Sequence, residues 1–260
     1  MYQYETLAVE STEGTAQVTM DRPDVYNAFN ETQIEELRDC FSRLSRDENV
    51  YTIVLTGRGR HFCAGADLKW MQKVSSYTRE ENISDSQKMG SMFHTIDTCP
   101  KPVVGRINGS AFGGGVGLVA VCDYAVCCDK AVFAFSEVNL GIVPAVISTY
   151  VLPKIGVSHA RSLFVTGERF PAERAYEIGL VHTVCTLEDM DAVVHEKVAL
   201  LRSSGPQAVK AAKELIQNWS ETSRHEFRDY TEHLIADLRA SEEGKEGIKA
   251  FLEKRKAVWR

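Results

Sequence analysis

Three consecutive glycines, Gly113, Gly114 and Gly115, stand between a strand-like run at 103 to 107 and an apolar run at 118 to 121 that reads as a buried helix. A strand, a tight turn and a helix start leave the helix's first N–H groups without intrahelical partners, at the positive end of its dipole. Glycine there lets a ligand come close to the backbone. A second turn of small residues, Ala64, Gly65 and Ala66, follows another strand-like run at 52 to 56. Glu137 sits among the apolar neighbours Phe133, Phe135, Val138, Leu140 and Ile142, whose burial of its carboxyl raises the pKa toward a useful acid/base range. Two backbone donor sites and one acid suit carbonyl chemistry, with an oxyanion hole holding developing negative charge while the carboxylate moves a proton. On these residues alone a plainer reading stays open, in which the glycines only pack a helix on a sheet and Glu137 is a solvated strand-end residue.

The elements that must position these residues follow from periodicity. Residues 2 to 9 and 14 to 20 alternate as a strand pair around Glu13-Gly14, and Arg22-Pro23-Asp24 ends the second strand. Asn30 has the character of an N-cap with Gln33 in the capping-box place, and Ile34, Leu37, Phe41 and Leu44 form one helix face. The strand-strand-helix order recurs beyond the glycines, with strands at 124 to 128 and 132 to 135, so the unit repeats. Residues 72 to 86, rich in Ser and charge, lack an apolar stripe and predict a mobile segment over the site. Met89, Phe93 and Ile96 then share a core-facing helix side, closed by Pro100 and Pro102. Beyond Pro171 the pattern is helical at 172 to 178, 187 to 202, 206 to 219 and about 221 to 256.

Composition narrows the function classes. A chain of 260 residues can bury a sizeable core, and a formal net charge of −6 argues against a general nucleic-acid binder. Seven cysteines without a CxxC pair read as free thiols of a reducing compartment. No apolar run reaches about 18 residues and the first residues have no signal-peptide character. The expectation is a cytoplasmic protein with no membrane segment. The histidines and cysteines show no zinc spacing, and Leu118 occupies the third glycine place of a dinucleotide fingerprint, so neither a metal nor a dinucleotide is expected.

The motifs F-C-A-G-A-D-L-K at 62 to 69, G-x-A-x-G-G-G at 109 to 115, C-D at 122 and 123 and S-E-V-x-L-G-I-x-P at 136 to 144 resemble, in order and spacing, the crotonase or enoyl-CoA hydratase and isomerase superfamily. The likeness runs on through T-G-E-R-F-P-A-E-R-A-Y-E-I-G-L-V at 166 to 181 to E-G-I-K-A-F-L-E-K-R-K at 246 to 256. It implies an α/β fold, a spiral of ββα units at 1 to 200 carrying the site, with a C-terminal helical layer at 201 to 260 for oligomerisation and CoA contact. It also implies the N–H groups of Ala66 and Gly114 as oxyanion donors and Glu137 as the acid that exchanges a proton on the α-carbon side. The substrate is then an acyl-CoA thioester, coenzyme A being part of the substrate rather than a separate cofactor, and the assembly a homotrimer or homohexamer.

One departure bears on the reaction. Hydratases of this family commonly place a second glutamate at the position of Gly117, where it helps to activate water. One carboxylate favours an isomerase on chemistry alone, whereas G-G-G-V-G-L with S-E-V-x-L-G-I-V-P-A-V-I-S is similar to short- or branched-chain enoyl-CoA hydratases, including methylglutaconyl-CoA hydratase-like enzymes. Hydratase is the first expectation, with Δ3,Δ2-enoyl-CoA isomerase and a non-catalytic acyl-CoA binder as alternatives. His94 falls where a dehalogenase branch of the superfamily carries a catalytic histidine, but that branch's nucleophilic aspartate falls at Ala145 here. His94 is therefore read as a water activator or a helix-flank residue. Ala145 also matches a glycine whose N–H holds water in hydratases. For CoA the resemblance points to Val25, Ala28, Ala64, Ala66, Asp67 and Leu68, with Phe251 and Lys254 contributed by a neighbouring subunit. Trp70 and Met71 either wall the acyl pocket or belong to the core.

Overall fold

Glu13 and Gly14 both have left-handed backbones (φ 49° and 80°), which a two-residue hairpin turn requires. They join β1 (Leu7–Thr12) to β2 (Thr15–Met20) in antiparallel register from Thr12 opposite Thr15 to Leu7 opposite Met20. The hairpin is the predicted one, but β1 starts later and runs on to Thr12. The computed structural model describes residues 3–259, so the first residue of the predicted strand, Tyr2, lies outside the described residues.

Asn30 caps α1 (Glu31–Leu44), its side chain accepting the Gln33 N–H at 2.9 Å. Only half of the predicted capping box forms, because the fully buried Gln33 amide finds no partner among the described residues. The chain then passes three times through the same unit. β3 (Thr52–Gly57) and β4 (His61–Cys63) lead to α2 (Leu68–Val74) and α3 (Arg79–Asp97). β5 (Val103–Ile107) and β6 (Ser110–Phe112) lead to α4 (Gly114–Ala120). β7 (Tyr124–Cys128) and β8 (Val132–Ala134) lead through a 3-10 turn (Ser136–Leu140) to α5 (Ala145–Thr166). Then follow β9 (Arg169–Pro171), α6 (Ala172–Glu177), β10 (Thr183–Cys185) and α7 (Met190–Arg202).

Each pass deposits one strand in each of two sheets. The larger has the order β1-β2-β3-β5-β7-β10, parallel from β2 onward, and the smaller β4-β6-β8-β9, antiparallel only at β9. All six residues of β3 are buried, as a parallel strand covered on both faces demands. This is the α/β spiral of ββα units that the resemblance implies. Between the sheets and helices lies one apolar core that includes Phe29, Phe41, Phe62, Phe93, Phe133 and Phe135, each almost completely buried.

Two expectations change. Residues 72 to 86 form the end of α2, a short connection and the start of α3, fixed by a Thr78–Glu81 capping box and by Lys73 and Tyr77 on Glu31 (2.6 and 3.2 Å). No apolar stripe is visible there because nearly every residue from 79 to 88 is exposed, Asp85 being the half-buried exception. α8 (Pro206–Glu221) matches the predicted helix at 206 to 219, whereas the long stretch from about 221 divides into α9 (Arg224–Ala240) and α10 (Glu242–Leu252), capped by Ser223 and Ser241. α8 packs on the chain's own core, Lys213 meeting Asp123 at 2.9 Å and the Gln217 amide donating to the Asp97 carbonyl at 2.7 Å. No helix among the described residues is long and apolar enough to cross a membrane.

Candidate active site

Three neighbouring parallel strands of the smaller sheet, β4, β6 and β8, end side by side, with Cys63 opposite Ala111 and Phe112 opposite Ala134. The residues that leave them are Ala64, Gly65 and Ala66, then Gly113 and Gly114, then the turn holding Glu137. Parallel pairing therefore brings together three groups that lie up to 73 positions apart in the chain.

The Ala66 turn is held by Phe29. Its N–H donates to the Gly65 carbonyl at 2.7 Å, and its carbonyl accepts from the Asp67 N–H at 2.8 Å. A parallel bridge of this kind uses the groups on either side of Ala66 and points the Ala66 N–H away, where no acceptor meets it among the described residues. Gly114 is the first residue of α4, and its N–H likewise has no acceptor among the described residues. The two turns abut, since a Cβ on Gly65 (φ 91°) would lie 2.9 Å from the Phe112 carbonyl oxygen and 4.0 Å from the Gly113 nitrogen.

Glu137 completes the group. Its Oε1 lies 3.1 Å from the point where a Cβ on Gly113 (φ 49°) would stand, so only glycine admits the carboxylate so close to the turn. Its Oε2 is buried without a hydrogen-bond partner among the described residues. Burial pushes its pKa up from the ordinary carboxylate value, opposed in part by its own backbone N–H. The burial does not come from all the predicted neighbours. Phe133 and Phe135 are fully buried, but Leu140 and Ile142 are 58% and 57% exposed.

Asp67 is engaged within the chain. It caps α2 by accepting the Lys69 N–H at 2.8 Å and pairs with Arg22 at 2.8 Å, while Arg22 also donates to the Ala28 carbonyl. Burial disfavours the Asp67 charge, but Arg22 and the Lys69 and Trp70 N–H groups outweigh it and hold its pKa below the usual range. Asn27, fully buried at φ 57°, accepts from the Arg22 N–H and donates to the Arg58 and His61 carbonyls at 3.0 Å. Sequence reasoning missed Arg22 and Asn27. No local pattern marked them, since their partners lie far along the chain. Through them the segment bearing Val25 and Ala28 is bound to the segment bearing Ala64 and Leu68. Of these, Val25 and Leu68 are exposed, Ala64 half-buried and Ala28 buried. Trp70 is buried and Met71 half-buried.

No hydrogen bond or ion pair among the described residues ties the other predicted residues to the Glu137 turn. His94 is exposed on α3 and interacts electrostatically with Asp97, which also senses Asp123 just beyond the far end of α4. Phe251 is 83% exposed and Lys254 is exposed, and their region is tied to Glu246 by Arg255 and to Ser203 by Trp259, not to the Glu137 turn. A cavity of about 740 Å³ also lies away from this chemistry, between Tyr51, Pro100 and Trp259.

The place of the absent second acid is closed. A Cβ on Gly117 would lie 2.9 Å from two ring carbons of Phe93 and would overlap Ile147, both buried. The Ala145 N–H already donates to the Val143 carbonyl at 2.7 Å.

A parallel-strand spiral that brings two unpaired backbone donors near one half-buried carboxylate suits acyl chemistry. The comparisons with known proteins agree. The chain belongs to the enoyl-CoA hydratase/isomerase family, whose model matches residues 10–260. A crotonyl-CoA hydratase of Syntrophomonas wolfei is 33% identical over 98% of this chain and 97% of its own length. A trans-2-decenoyl-[acyl-carrier-protein] isomerase of Streptococcus mutans is 29% identical over 94% and 93%. The crystal structure of an enoyl-CoA hydratase from Shewanella pealeana superposes with a TM-score of 0.95 at 36% identity, covering 99% of this chain and 97% of that one.

Proposed function

We propose that the chain hydrates short or branched 2-enoyl-CoA thioesters with Glu137 as its only acid and base. The observation that carries the reading is the buried, unpartnered Glu137 oxygen beside the unpaired N–H groups of Gly114 and Ala66. The two N–H groups hold the thioester oxygen. The Glu137 carboxylate takes one proton from water as the water oxygen bonds to the β-carbon, and the displaced π electrons collect on the thioester oxygen as an enolate. Protonated Glu137 then returns that proton to the α-carbon, giving a 3-hydroxyacyl thioester and the original carboxylate. One carboxylate suffices when both additions occur on the same face. Its raised pKa suits both halves of the cycle.

In this reading Val25, Ala28, Ala64, Asp67 and Leu68 flank the CoA moiety, and Phe251 and Lys254 serve a neighbouring copy in a homotrimer or homohexamer. The exposure of Val25, Leu68, Phe251 and Lys254 supports that role. The setting is cytoplasmic fatty acid metabolism, with no metal or redox group, nucleic acid or membrane as partner.

The closed space at Gly117 and the committed Ala145 N–H favour a second reading, Δ3,Δ2-enoyl-CoA isomerisation, in which Glu137 carries a proton from C2 to C4. Incubation with crotonyl-CoA, 3-methylglutaconyl-CoA and 3-hexenoyl-CoA in heavy-oxygen water separates the two. Heavy oxygen in a 3-hydroxyacyl product is expected. Unlabelled 2-enoyl product from the 3-enoyl ester alone would replace hydration by isomerisation, and binding without conversion would leave an acyl-CoA-binding protein.

A further inference from the structure

We infer that Lys154 is a positioning residue for the oxyanion turn, acting through α4; the inference rests on Ala66 and Gly114 being the oxyanion donors. The helix that presents the Gly114 N–H is intrinsically weak. It has seven residues, three of them glycine and two β-branched valine. A helix so composed needs outside partners for its terminal carbonyls.

At its C-terminal end these partners are present. The Val121 N–H bonds back to Gly117 and Val119, and the Cys122 thiol donates to Leu118 at 3.2 Å. The Lys154 ammonium donates to the carbonyls of Ala120 at 3.0 Å and Cys122 at 2.6 Å. It makes no ion pair with a carboxylate among the described residues, whereas nearby Lys213 pairs with Asp123. The Lys154 charge is thus given to the negative end of α4, where a cation is favourable. Burial lowers its pKa. The residue comes from α5, between Pro153 and a break at Gly156 (φ 75°, ψ 155°) that no continuous helix would contain.

Lys154 and the Gly114 N–H are therefore opposite ends of one rod about 10 Å long. Releasing the Lys154 end loosens the helix and shifts the Gly114 donor relative to Ala66, and a displacement of about 1 Å costs on the order of 10²-fold in rate.

Lys154→Met removes the donors and the charge while keeping an unbranched stem, and Lys154→Arg keeps both. Three readouts apply: kcat and KM for crotonyl-CoA hydration, deuterium uptake at the α-carbon of butyryl-CoA, and backbone amide exchange over residues 113 to 122. The α-carbon exchange reports enolate stabilisation without water addition, and the amide exchange is independent of catalysis. For Lys154→Met, kcat and α-carbon exchange should fall about 10- to 100-fold with KM within about threefold, and amide exchange should rise only over 113 to 122. Lys154→Arg should recover about a third or more of the rate. A Met variant matching the parent in kcat and amide exchange would overturn the inference. So would amide exchange rising throughout the chain with kcat and KM changing together, which marks a general structural role. Should the Met variant not fold, Lys154→Gln is held to the same criteria. A parent that neither hydrates crotonyl-CoA nor exchanges α-protons sinks the functional reading, while the amide-exchange arm still decides whether Lys154 anchors α4.

Discussion

Restoring the glutamate that many relatives are expected to carry should harm this protein rather than improve it. In Gly117→Glu the new Cβ lies 2.9 Å from the Phe93 ring and overlaps Ile147, and neither neighbour is a flexible surface chain, since they are 0% and 3% exposed. Overpacking of this kind costs about 1–3 kcal/mol. The carboxyl adds about 1–3 kcal/mol more as a buried polar group without a partner. The total is about 2–6 kcal/mol, which at roughly 2–4 °C per kcal/mol lowers Tm by about 4–24 °C. Gly117→Ala isolates the Cβ and should lower Tm by about 2–12 °C. Thermal unfolding of both variants beside hydration kinetics with crotonyl-CoA tests the arithmetic. If Gly117→Glu melts within about 2 °C of the parent and hydrates faster, the space beside Gly117 is available and the one-carboxylate reasoning fails.

The other predictions concern charge. Glu137→Gln should lower kcat for hydration about 10²–10⁴-fold while butyryl-CoA still binds, measured by steady-state kinetics and calorimetry. The raised Glu137 pKa places the acid limb of the kcat profile above the ordinary carboxylate range, with activity falling as pH drops through it; a limb at or below that range contradicts the burial argument. The same shift has a stability consequence. The folded state binds the proton more tightly, so Glu137 destabilises the fold as pH rises from its unfolded to its folded pKa. Glu137→Gln should therefore be more stable than the parent at pH 7, with the advantage vanishing in acid, as denaturant titrations at several pH values would show. Asp67→Asn keeps an acceptor for the α2 cap but removes the charge facing Arg22. It should cost about 1–3 kcal/mol and raise KM more than it lowers kcat, checked by urea unfolding and kinetics.

How much could be read beforehand varied with whether a signal was local. The Glu13-Gly14 hairpin, the Asn30 cap and the Phe93 and Ile96 core face are statements about neighbours in the chain, and they form as expected. The start of α3 was locally legible too, in the Thr78 to Glu81 capping box, but lay hidden behind the lack of an apolar stripe. That stripe is absent because the first half of α3 packs against little of its own chain. Arg22 and Asn27 were not legible, because their partners at Asp67 and His61 are up to 45 residues away.

By itself the sequence determined the kinds of groups available: two turns of small residues at strand exits, one acid between apolar residues, and a recurring ββα order. Those follow from residue type and spacing, which local backbone physics reads directly. Tertiary structure alone decided that β4, β6 and β8 lie side by side, so that the Ala66 and Gly114 N–H groups and Glu137 share one place. It also decided that Phe93 and Ile147 occupy the space beside Gly117. Sheet order and side-chain packing join residues distant in the chain, and no local pattern carries that information.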